Sequence, residues 1–562
     1  MNPIDPFIRN TRIAYFSMEI AVSSEIHTYS GGLGVLAGDT ARTCGDLELP
    51  IVFVSLISRA GYFRQIVDEF GRQQEQEDHW DPKRWAVPLS AMVALRLEER
   101  DVWVRPWLYI NAGTRGHEIP VLFLDTDLEE NHAEDRTLTH YLYGGDSAYR
   151  LKQELVLGVG GVRLLRALGF TLSRYHLNEG HAAFLAVELL HGLPQFPVFA
   201  DTSDDLYNPT RVRNHCIFTT HTPVEAAHDR FSYDLVARVI GDTFDLAGLK
   251  RLAGSESLNM TQLALSSSGY VNGVALKHAQ VAGRMFPNVA VRAITNGVHV
   301  GSWAHEAFTR LYDQAVPSWA HEPELLTRAD QLSDAMVWDA HSHAKRELIE
   351  NVRQITGVVM SPDKPILGFA RRMTGYKRPD MLFGNLERLR AIARDFPFHI
   401  VVSGKAHPRD VEGKRLIEHI NGAMQSLSSS IPCAYLPNYD LRIAKTMVSG
   451  TDVWLNTPQP PLEASGTSGM KAALNGVLNL SILDGWWIEA WIEGVTGWAI
   501  EGAGQETEAD SLYAKLQYTV LPLYYTDRGR WIWMMKQAIG KIASFFNSHR
   551  MMRRYASEAY LR

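Results

Sequence analysis

The sequence has little cysteine and no long apolar run. Its three cysteines, Cys44, Cys216 and Cys433, are far apart and odd in number, which disfavours a disulfide framework and favours a reducing compartment. Apolar runs such as 155–165 are interrupted by charge before they reach the roughly 20 residues that cross a bilayer. The segment from Met1 to Arg12 lacks the pattern of a secretory signal. We therefore expect a cytoplasmic protein that does not bind membranes.

Positive charge is not in excess either. Lys and Arg number 56 against 63 Asp and Glu residues, a formal net charge of −7, so the protein has no net field that would collect nucleic acid. Any phosphate group that it handles must therefore be held by local cations. No metal site is predicted, because His176 and His181 do not share a helical face and no His-Glu-x-x-His motif is present.

What is present is the composition of an ordinary folded enzyme: 562 residues, of which 46% are apolar and 21% charged. This length predicts two domains. Short β-branched or aromatic runs alternate with longer helical patterns, which predicts an α/β fold with parallel sheets. The clearest predicted strands are Ile13–Met18, Cys216–Thr219, Ile366–Ala370, His399–Val402 and Asp452–Asn456. Ligands of such sheets bind beyond the carboxyl ends of the strands, so the active site is expected in the loops that follow them.

The candidate hinge between the domains is Asn296-Gly297, with the loosely patterned stretch that follows it to Val316. We predict an N-terminal domain of residues 1–296 and a C-terminal domain of residues 297–530. Residues 531–562 alternate bulky apolar side chains with Lys and Arg, which predicts a C-terminal helix that packs back across the domains.

The most informative loop is Glu463-Ala-Ser-Gly-Thr-Ser-Gly-Met-Lys471, which places small and hydroxyl residues ahead of a predicted helix. Free backbone N–H groups at such a helix start bind phosphate. Lys471 lies inside the helical pattern among apolar residues, where desolvation lowers the pKa of an amine and favours its reaction with an aldehyde cofactor. A surface lysine behind a capping loop explains the same residues, so on this motif alone both interpretations stay open.

Two further loops have features that suit phosphate. The loop Arg371-Arg-Met-Thr-Gly-Tyr-Lys-Arg-Pro379 puts four cations after a predicted strand, enough to neutralise two phosphate groups, although many charge runs are only surface features. The turn Tyr29-Ser-Gly-Gly-Leu-Gly34 opens a predicted helix and permits close backbone approach to an anion or a sugar. It lacks the spacing of a dinucleotide-binding motif.

Histidines follow two other strand patterns, in His176-Leu-Asn-Glu-Gly-His181 and in Thr220-His-Thr-Pro223. Both segments suit the polar lining of a sugar pocket. Histidines that are hydrogen-bonded within a core explain His176 and His181 equally well.

Taken in order along the chain, these loops resemble those of the glycogen and starch phosphorylases. The resemblance runs from Tyr15 to Gly485, and its most specific part is the loop that ends at Lys471. The other matching segments are Tyr15–Glu19, Ser30–Gly34, His176–His181, Thr220–Thr222, Val271–Ala275 with His278, Thr295–Gly297, Tyr376–Arg378 and Ser403–Ala406. The resemblance implies two Rossmann-like domains that face an interdomain cleft, the GT-B-type glycosyltransferase architecture.

The resemblance also implies roles for individual residues. Lys471 would bind pyridoxal 5′-phosphate covalently. The implied catalytic residues are Lys471, Arg372, Lys377 and His221. The residues implied to surround the cofactor are Thr467, Ser468, Gly31, Gly32, Arg371 and Tyr439. Those implied to hold the substrate are Asn296, Glu463, Ser465, Gly466, Tyr376, Leu33, His181 and Glu179.

The implied reaction is that of an α-1,4-glucan phosphorylase of short form. Terminal glucosyl units would pass from glycogen, starch or maltodextrin to inorganic phosphate, giving α-D-glucose 1-phosphate with retained configuration. The cofactor's phosphate would exchange a proton with the substrate phosphate, which requires two anions to meet amid several cations. Dimers are common in this family, so a homodimer is compatible with the resemblance.

Departures from the family bear on regulation and specificity. The chain is shorter than the animal and plant enzymes, so their phosphorylation and nucleotide control are not expected here. The segment from Val298 to Trp303 lacks the family's arginine, and Asp440 follows Tyr439 where the longer enzymes carry arginine. Preferred chain length, physiological direction and subunit contacts therefore stay open.

Two other functions are compatible with the architecture. A nucleotide-sugar glycosyltransferase would have no reason to keep a buried lysine in this loop. A glucan-binding protein without activity would not need Lys471, Arg372 and Lys377 intact. A bound pyridoxal species and formation of glucose 1-phosphate distinguish these alternatives.

Overall fold

Two large sheets form the framework of the protein. In the computed structural model, which describes residues 2–192, 206–224 and 228–561, a ten-stranded sheet lies in the N-terminal half and a six-stranded sheet in the C-terminal half. Most neighbouring strands of the first sheet run parallel, and all those of the second do. The protein is therefore a mixed α/β protein with mainly parallel sheets, as the sequence predicts.

The strands in chain order are β1 (Ile13–Ser17), β2 (Ile51–Leu56), β3 (Arg64–Val67), β4 (Gln73–Gln76), β5 (Val87–Pro88), β6 (Val93–Leu97), β7 (Arg100–Ala112), β8 (Glu118–Asp125), β9 (Arg174–Asn178), β10 (Cys216–Thr219), β11 (Arg230–Ser232), β12 (Ser257–Asn259), β13 (Tyr270–Gly273), β14 (Val291–Ala293), β15 (Ile366–Ala370), β16 (His399–Ser403), β17 (Cys433–Leu436), β18 (Val453–Asn456), β19 (Leu478–Ile482) and β20 (Gly497–Ile500). The predicted strands are confirmed as β1, β10, β15, β16 and β18, each to within a residue at its ends.

The strand order places β1 and β15 near the middle of their sheets. The first sheet has the order β14-β13-β10-β9-β1-β2-β8-β7-β5, with β6 paired to β7. The second has the order β17-β16-β15-β18-β19-β20. Central parallel strands are buried on both faces, and every residue of β1 and of β15 is buried.

Helices connect and cover the strands. The α-helices are Asp5–Ile8, Gly32–Asp46, Ala133–Arg136, Ser147–Leu155, Gly161–Ala167, Phe184–Gly192, Thr210–Arg213, Tyr233–Ile240, Leu246–Ala253, Met260–Ser267, Leu276–Met285, Val300–Trp303, Glu306–Ala315, Asp334–Thr356, Leu386–Asp395, Val411–Leu427, Leu441–Gly450, Ser468–Leu474, Trp487–Ala490, Gln505–Lys515, Leu521–Thr526, Arg528–Ala538 and Ser548–Tyr555. Short π-helical segments are Val156–Gly160, Leu516–Val520, Ile539–Ala543 and Ala556–Tyr560, and 3₁₀ segments are Pro82–Arg84, Gly180–Ala182, Pro323–Gln331, Gly375–Lys377 and Met381–Phe383.

Local sequence sets where many of these helices begin. Asp440 accepts a hydrogen bond from the Ile443 N–H at 2.9 Å and so caps Leu441–Gly450. Two helices that begin at glycine-rich loops, Gly32–Asp46 and Ser468–Leu474, have no side-chain cap. Their first N–H groups are left for another acceptor, and both helices lie at the candidate site.

The two halves are joined by two chain segments that run side by side. The Val298 N–H donates to the Phe546 carbonyl at 3.1 Å, and the Ser548 N–H donates to the Val298 carbonyl at 2.9 Å. A Cβ atom at Gly297 would lie 2.1 Å from the Asn547 carbonyl oxygen, so this approach requires glycine. The stretch that follows, expected to be loosely patterned, is mostly helical, in Val300–Trp303 and Glu306–Ala315.

The C-terminal segment returns to the first sheet. It is broken into several helical pieces, and its last turns lie on the N-terminal half. The Tyr560 hydroxyl is 2.7 Å from His176 Nδ1, and Asn272 Nδ2 donates to the Tyr555 hydroxyl at 2.9 Å. Tyr555 and Tyr560 are buried in the same core as Tyr15. This packing ties the chain's end to the centre of the larger sheet.

The described residues contain no helix that is long and apolar enough to cross a membrane. They also contain no group of three or more His, Cys, Asp or Glu side chains arranged to hold a metal ion. The three cysteines are not disulfide-bonded.

Candidate active site

The start of β3 in the N-terminal half meets the loop that follows β16 in the C-terminal half. Gln65 Nε2 donates to the Gly404 carbonyl at 2.9 Å, and Lys405 Nζ donates to the Phe63 carbonyl at 2.8 Å. Gly404 and Lys405 follow β16 directly. The loops that the sequence singled out lie around this contact, as expected for ligand sites of parallel sheets.

Lys471 is a buried amine at the base of this region. It lies in the helix Ser468–Leu474 and is only 7% exposed. Its Nζ stands 3.9 Å from the centre of the Trp303 ring, and Trp303 Nε1 donates to Asp39 at 2.8 Å. Burial lowers the pKa of Lys471 to about 8, and the nearby carboxylate of Asp39 opposes that shift. An amine in this setting is partly neutral near physiological pH and can act as a nucleophile.

Arg371 and Lys377 converge on one carboxylate. Arg371 Nη2 lies 2.6 Å from Glu463 Oε2, and Lys377 Nζ bonds to the same oxygen. Burial alone would raise the pKa of Glu463, but the two cations outweigh burial and hold that pKa at about 2. Lys377 Nζ also lies 4.5 Å from the centre of the Tyr376 ring. Glu463 is therefore an ionised, positioned acceptor and not a proton donor.

Arg372 differs from its neighbours in having no partner. Its side chain is exposed, and it makes no hydrogen bond or ion pair with any residue that the structure describes. A Cβ atom at Gly31 would lie 3.5 Å from Arg372 Nη2, and the charge of Arg372 acts on Tyr62 and Glu19. A guanidinium from the C-terminal half thus faces the glycine turn of the N-terminal half with its donors free.

The glycine turn is held by Glu19, which follows β1. The Glu19 carboxylate accepts the N–H groups of Ser30 at 2.6 Å and Gly31 at 3.1 Å, and the Tyr143 hydroxyl at 2.9 Å. A Cβ atom at Gly34 would lie 2.6 Å from Glu19 Oε2. The turn is therefore fixed by a buried carboxylate, and glycine at position 34 is a packing requirement.

Two uncapped helix starts supply further donors. Gly31 is the residue before the helix Gly32–Asp46, and a Cβ atom at Gly32 would meet no atom within 4 Å. Leu33 lies in the first turn of that helix. Thr467 precedes the helix Ser468–Leu474 without capping it. Backbone N–H groups that face open space at a helix start suit an anion.

Ser468, Ser465 and Gly466 shape the loop ahead of Lys471. Ser468 Oγ accepts the indole N–H of Trp454 at 3.0 Å, and the Ser465 carbonyl accepts the Trp486 N–H at 2.9 Å. Gly466 has a φ of +74°, which favours glycine. These bonds hold the small-residue loop against the sheet.

His221 belongs to a second network, on the N-terminal half. Its N–H donates to Glu179 Oε2 at 2.7 Å, and its Nε2 lies 2.7 Å from Asn178 Oδ1. Burial lowers the pKa of His221 to about 3, so its ring is neutral. Glu179 adopts a φ of +72°, a strained conformation for a residue with a side chain. The main chain at His221 is thus fixed by neighbouring polar groups.

The structure connects this second network to the first through Tyr143. The His181 and Tyr143 rings are 5.8 Å apart between centroids, and Tyr143 bonds Glu19, which holds the glycine turn. His181 Nε2 lies 3.4 Å from Asp229 Oδ2, and its Nδ1 is buried without a partner among the described residues. His176 is not part of the site, because both of its ring nitrogens bond within the core, to Tyr560 and to Thr219.

Asn296 and Tyr439 are two further residues that the sequence predicted for the site. Asn296 Oδ1 is buried and has no partner among the residues described. Tyr439 follows β17; burial raises its pKa, as does its neighbour Asp440, whereas Arg371 lowers it. Tyr439 therefore lies close to the cationic loop.

The sequence did not point to several residues of the site. Trp303 covers Lys471, Glu19 and Tyr143 hold the glycine turn, and Asp484 accepts the Glu463 N–H at 2.9 Å. Glu19 lies in a segment that resembles the phosphorylases, so that resemblance could have indicated Glu19 as a site residue. No local pattern marks Trp303 or Tyr143, since their importance follows from long-range packing.

The comparisons with known proteins cover nearly the whole chain. The family described as carbohydrate phosphorylase matches residues 207–497. Maltodextrin phosphorylase of Thermococcus litoralis is 38% identical over 98% of this chain and 70% of its own length. Glycogen phosphorylase of Mycobacterium tuberculosis is 35% identical over 98% of this chain and 71% of its own. Glycogen phosphorylase of Aquifex aeolicus is 33% identical over 98% of this chain and 86% of its own.

Proposed function

The chain belongs to the carbohydrate phosphorylase family, and from that premise we propose that it is an α-1,4-glucan phosphorylase. It transfers terminal glucosyl units from a glucan to inorganic phosphate and releases α-D-glucose 1-phosphate. The observation that carries the proposal is Arg372, a cation without a partner in the described chain, which faces the glycine turn beside the Arg371–Lys377–Glu463 cluster.

The proposed architecture is two Rossmann-like domains that face a cleft, with a boundary near residue 297. Two mainly parallel sheets with their own helices support it, and the two adjacent chain crossings at Val298 and Asn547 would serve as the hinge of the cleft. The final segment, residues 531–562, would then fasten the C-terminal end to the N-terminal domain.

The residues at the site fit pyridoxal 5′-phosphate. Lys471 offers a buried amine that makes no hydrogen bond to the described residues, Arg371 Nη1 is buried and likewise unpartnered, and open space surrounds the position of a Cβ at Gly32. An aldehyde would suit the amine, and a phosphate would suit the guanidinium and the helix starts. We propose that Lys471 holds the cofactor, and that Thr467, Ser468, Gly31, Gly32, Arg371 and Tyr439 surround it.

The cofactor, when bound, supplies a phosphate group that can give and take a proton at the substrate phosphate. Arg372 binds the substrate phosphate with its free donors, and Lys377 adds a second positive charge. Phosphate dianions placed side by side repel each other strongly at low dielectric, so several cations in one place are required. The buried Glu463 keeps Arg371 and Lys377 in position, because its carboxylate stays ionised.

The sugar would be held by groups that face the same region. Glu463, Ser465 and Gly466 come from the lysine loop, and Asn296 has a buried oxygen without a partner among the described residues. The bond from the His221 N–H to Glu179 fixes the main chain at His221, and we place that main chain beside the glucosyl unit. Tyr376, Leu33, His181 and Glu179 complete the proposed glucosyl and acceptor lining.

Hydrolysis by a pair of carboxylates does not suit this site. Such enzymes need one protonated carboxyl as general acid, whereas Glu463 has a pKa of about 2. Burial raises the pKa of Asp484 to about 6, but both of its oxygens accept backbone N–H groups, from Glu463 and Gly485. Asp484 therefore holds the loop.

The direct test incubates the purified protein with maltoheptaose and phosphate in the presence of pyridoxal 5′-phosphate. We expect glucose 1-phosphate and shortened glucan, in amounts that depend on phosphate. Release of free glucose that does not depend on phosphate would overturn the proposal, as would glucosyl transfer from a nucleotide sugar in place of phosphorolysis.

A further inference from the structure

A cavity of about 310 Å³ lies beside the proposed catalytic site. Its walls come from both halves of the protein: Tyr62, Arg64 and Asp78 from the N-terminal half, Lys405 and Asp440 from the C-terminal half. This volume is at the lower end of the range for small-molecule pockets. A ligand that filled it would touch both halves at once.

Two cations of the cavity, Arg64 and Lys405, make no direct ion pair with the residues described, although the Asp78 carboxylate acts on both of them and Asp440 acts on Lys405. Arg64 makes no ion pair with the residues described, and Lys405 Nζ donates only to the Phe63 carbonyl, which leaves two of its N–H donors. The two carboxylates have other partners. Asp78 Oδ1 lies 3.3 Å from His27 Nδ1, and Asp440 Oδ2 lies 3.5 Å from Arg442 Nε. An anion is therefore the complementary ligand for the Arg64 side of the cavity.

The remaining surface suits a sugar. Tyr29, Tyr62, Phe63 and Tyr439 give it aromatic walls, and such faces pack against sugar rings. The Asp78 and Asp440 carboxylates, although paired, retain lone pairs that can accept hydroxyl groups. A cavity that combines cations, aromatic faces and hydroxyl acceptors matches a phosphorylated sugar more closely than a simple anion.

Two tyrosines separate this cavity from the catalytic groups. Tyr62 lines the cavity and also experiences the charge of Arg372. Tyr439 lines it too and experiences the charges of Asp440 and Arg371. The cavity therefore shares a wall with the proposed phosphate site but does not include Arg372, Lys377 or Lys471. A ligand bound in this cavity would contact Tyr439 and residues of both halves.

We propose that this cavity binds a sugar phosphate as a second ligand, distinct from the substrates of the proposed reaction. Its phosphate lies against Arg64 and Lys405, and its sugar packs on Tyr62 with hydroxyls on Asp78 and Asp440.

The test is calorimetric titration with ribose 5-phosphate, which is neither a glucan nor a product of phosphorolysis. The full-length protein should bind it, and Arg64→Gln should weaken binding about tenfold or more, the worth of one charge-assisted hydrogen bond. Arg64 is exposed, so this variant should fold normally; Lys405→Met provides a second. Arg84→Gln, at an exposed arginine outside the cavity, should bind like wild type.

Further titrations assign the site and the ligand class. Binding that survives Arg372→Ala places the ligand outside the catalytic site, whatever the outcome of the phosphorolysis assay. Loss of binding in Arg372→Ala with retention in Arg64→Gln and Lys405→Met would overturn the proposal, and so would no binding by wild type. Inorganic phosphate that bound Arg372→Ala as tightly as ribose 5-phosphate binds it would overturn the assignment to a sugar phosphate. Ribose alone should bind far more weakly than its phosphate.

Discussion

The chemistry of the site is decided by which charges are neutralised and which are left free. In the loop after β15, Arg371 and Lys377 bond to Glu463, and Arg378 turns away to bond Glu508 at 2.5 Å. Arg372 alone in this loop has no such partner. The sequence predicted a cationic loop correctly but could not distinguish these four cations, because each one's role depends on a carboxylate that is distant in sequence.

Arg372→Ala should impair phosphorolysis without impairing folding. In the proposed reaction the free guanidinium is a preorganised donor for the substrate phosphate, and the loss of such a contact costs about a hundredfold to a thousandfold in kcat. Steady-state kinetics with varied phosphate should show this loss together with a raised KM for phosphate. Arg415→Ala, at an exposed arginine on the helix Val411–Leu427, should behave like wild type. Wild-type kinetics in Arg372→Ala would rule out the phosphate-binding role.

At the scale of elements, two helices start at glycine-rich loops without side-chain caps. The sequence predicted a helix after each loop, and the structure has them as Gly32–Asp46 and Ser468–Leu474. What the sequence could not give is the reason for each glycine. Gly34 is crowded, because a Cβ atom added there would lie 2.7 Å from the Tyr29 Cβ and would also meet Glu19. A Cβ atom added at Gly32 would face open space.

The same substitution should therefore have opposite effects two positions apart. Gly34→Ala should destabilise the protein by about 1–3 kcal/mol, as overpacking does. Gly32→Ala should leave stability unchanged or raised, since alanine favours helix, but should weaken retention of the cofactor by blocking the approach of its phosphate to the N–H groups. Thermal unfolding and near-ultraviolet absorbance measure the two effects. Equal loss of stability in both variants would contradict this account of the turn.

At the scale of the whole molecule, the C-terminal segment packs on the first sheet and so links the two halves. The alternation of strand and helix predicted the α/β class and the central strands, since these depend on local pattern and burial. The side-by-side crossings at Val298 and Asn547, and the bonds from Tyr555 and Tyr560 to the first sheet, involve partners hundreds of positions apart. No local pattern encodes such pairs, so the sequence predicted a link near Gly297 and a C-terminal segment that packs back, but not the residues that make these contacts.

The buried histidines of the N-terminal half should make stability fall in mild acid. Burial lowers the pKa of His176, His181 and His221 to about 3 and that of His278 to about 4. Histidines of the unfolded chain bind protons below about pH 6.5, whereas these four histidines stay neutral in the folded protein. The unfolded state therefore binds more protons than the folded state, and acid favours unfolding. Each histidine then removes up to about 1.4 kcal/mol of stability per pH unit between about pH 6.5 and 4. Unfolding midpoints measured between pH 7 and 5 should fall accordingly.

A control separates buried from exposed histidines. His343 is half-exposed on the surface, so His343→Gln should leave the pH dependence unchanged. Asp484 works in the opposite direction, because burial raises its pKa to about 6 and the folded state binds its proton first. Burial also raises the pKa of Glu154 and Glu179, but the four histidines outnumber these three carboxyls. A stability that was constant or that rose from pH 7 to 5 would show that these histidines are protonated in the folded protein.

The most direct test of the account is the position of the cofactor on the chain. The protein is loaded with pyridoxal 5′-phosphate, reduced with borohydride, digested and mapped by mass spectrometry. We predict a pyridoxyl phosphate adduct on the peptide that contains Lys471, and its absence from Lys471→Ala, together with loss of phosphorolysis in that variant. An adduct only on another lysine, or full phosphorolysis by Lys471→Ala, would contradict the account.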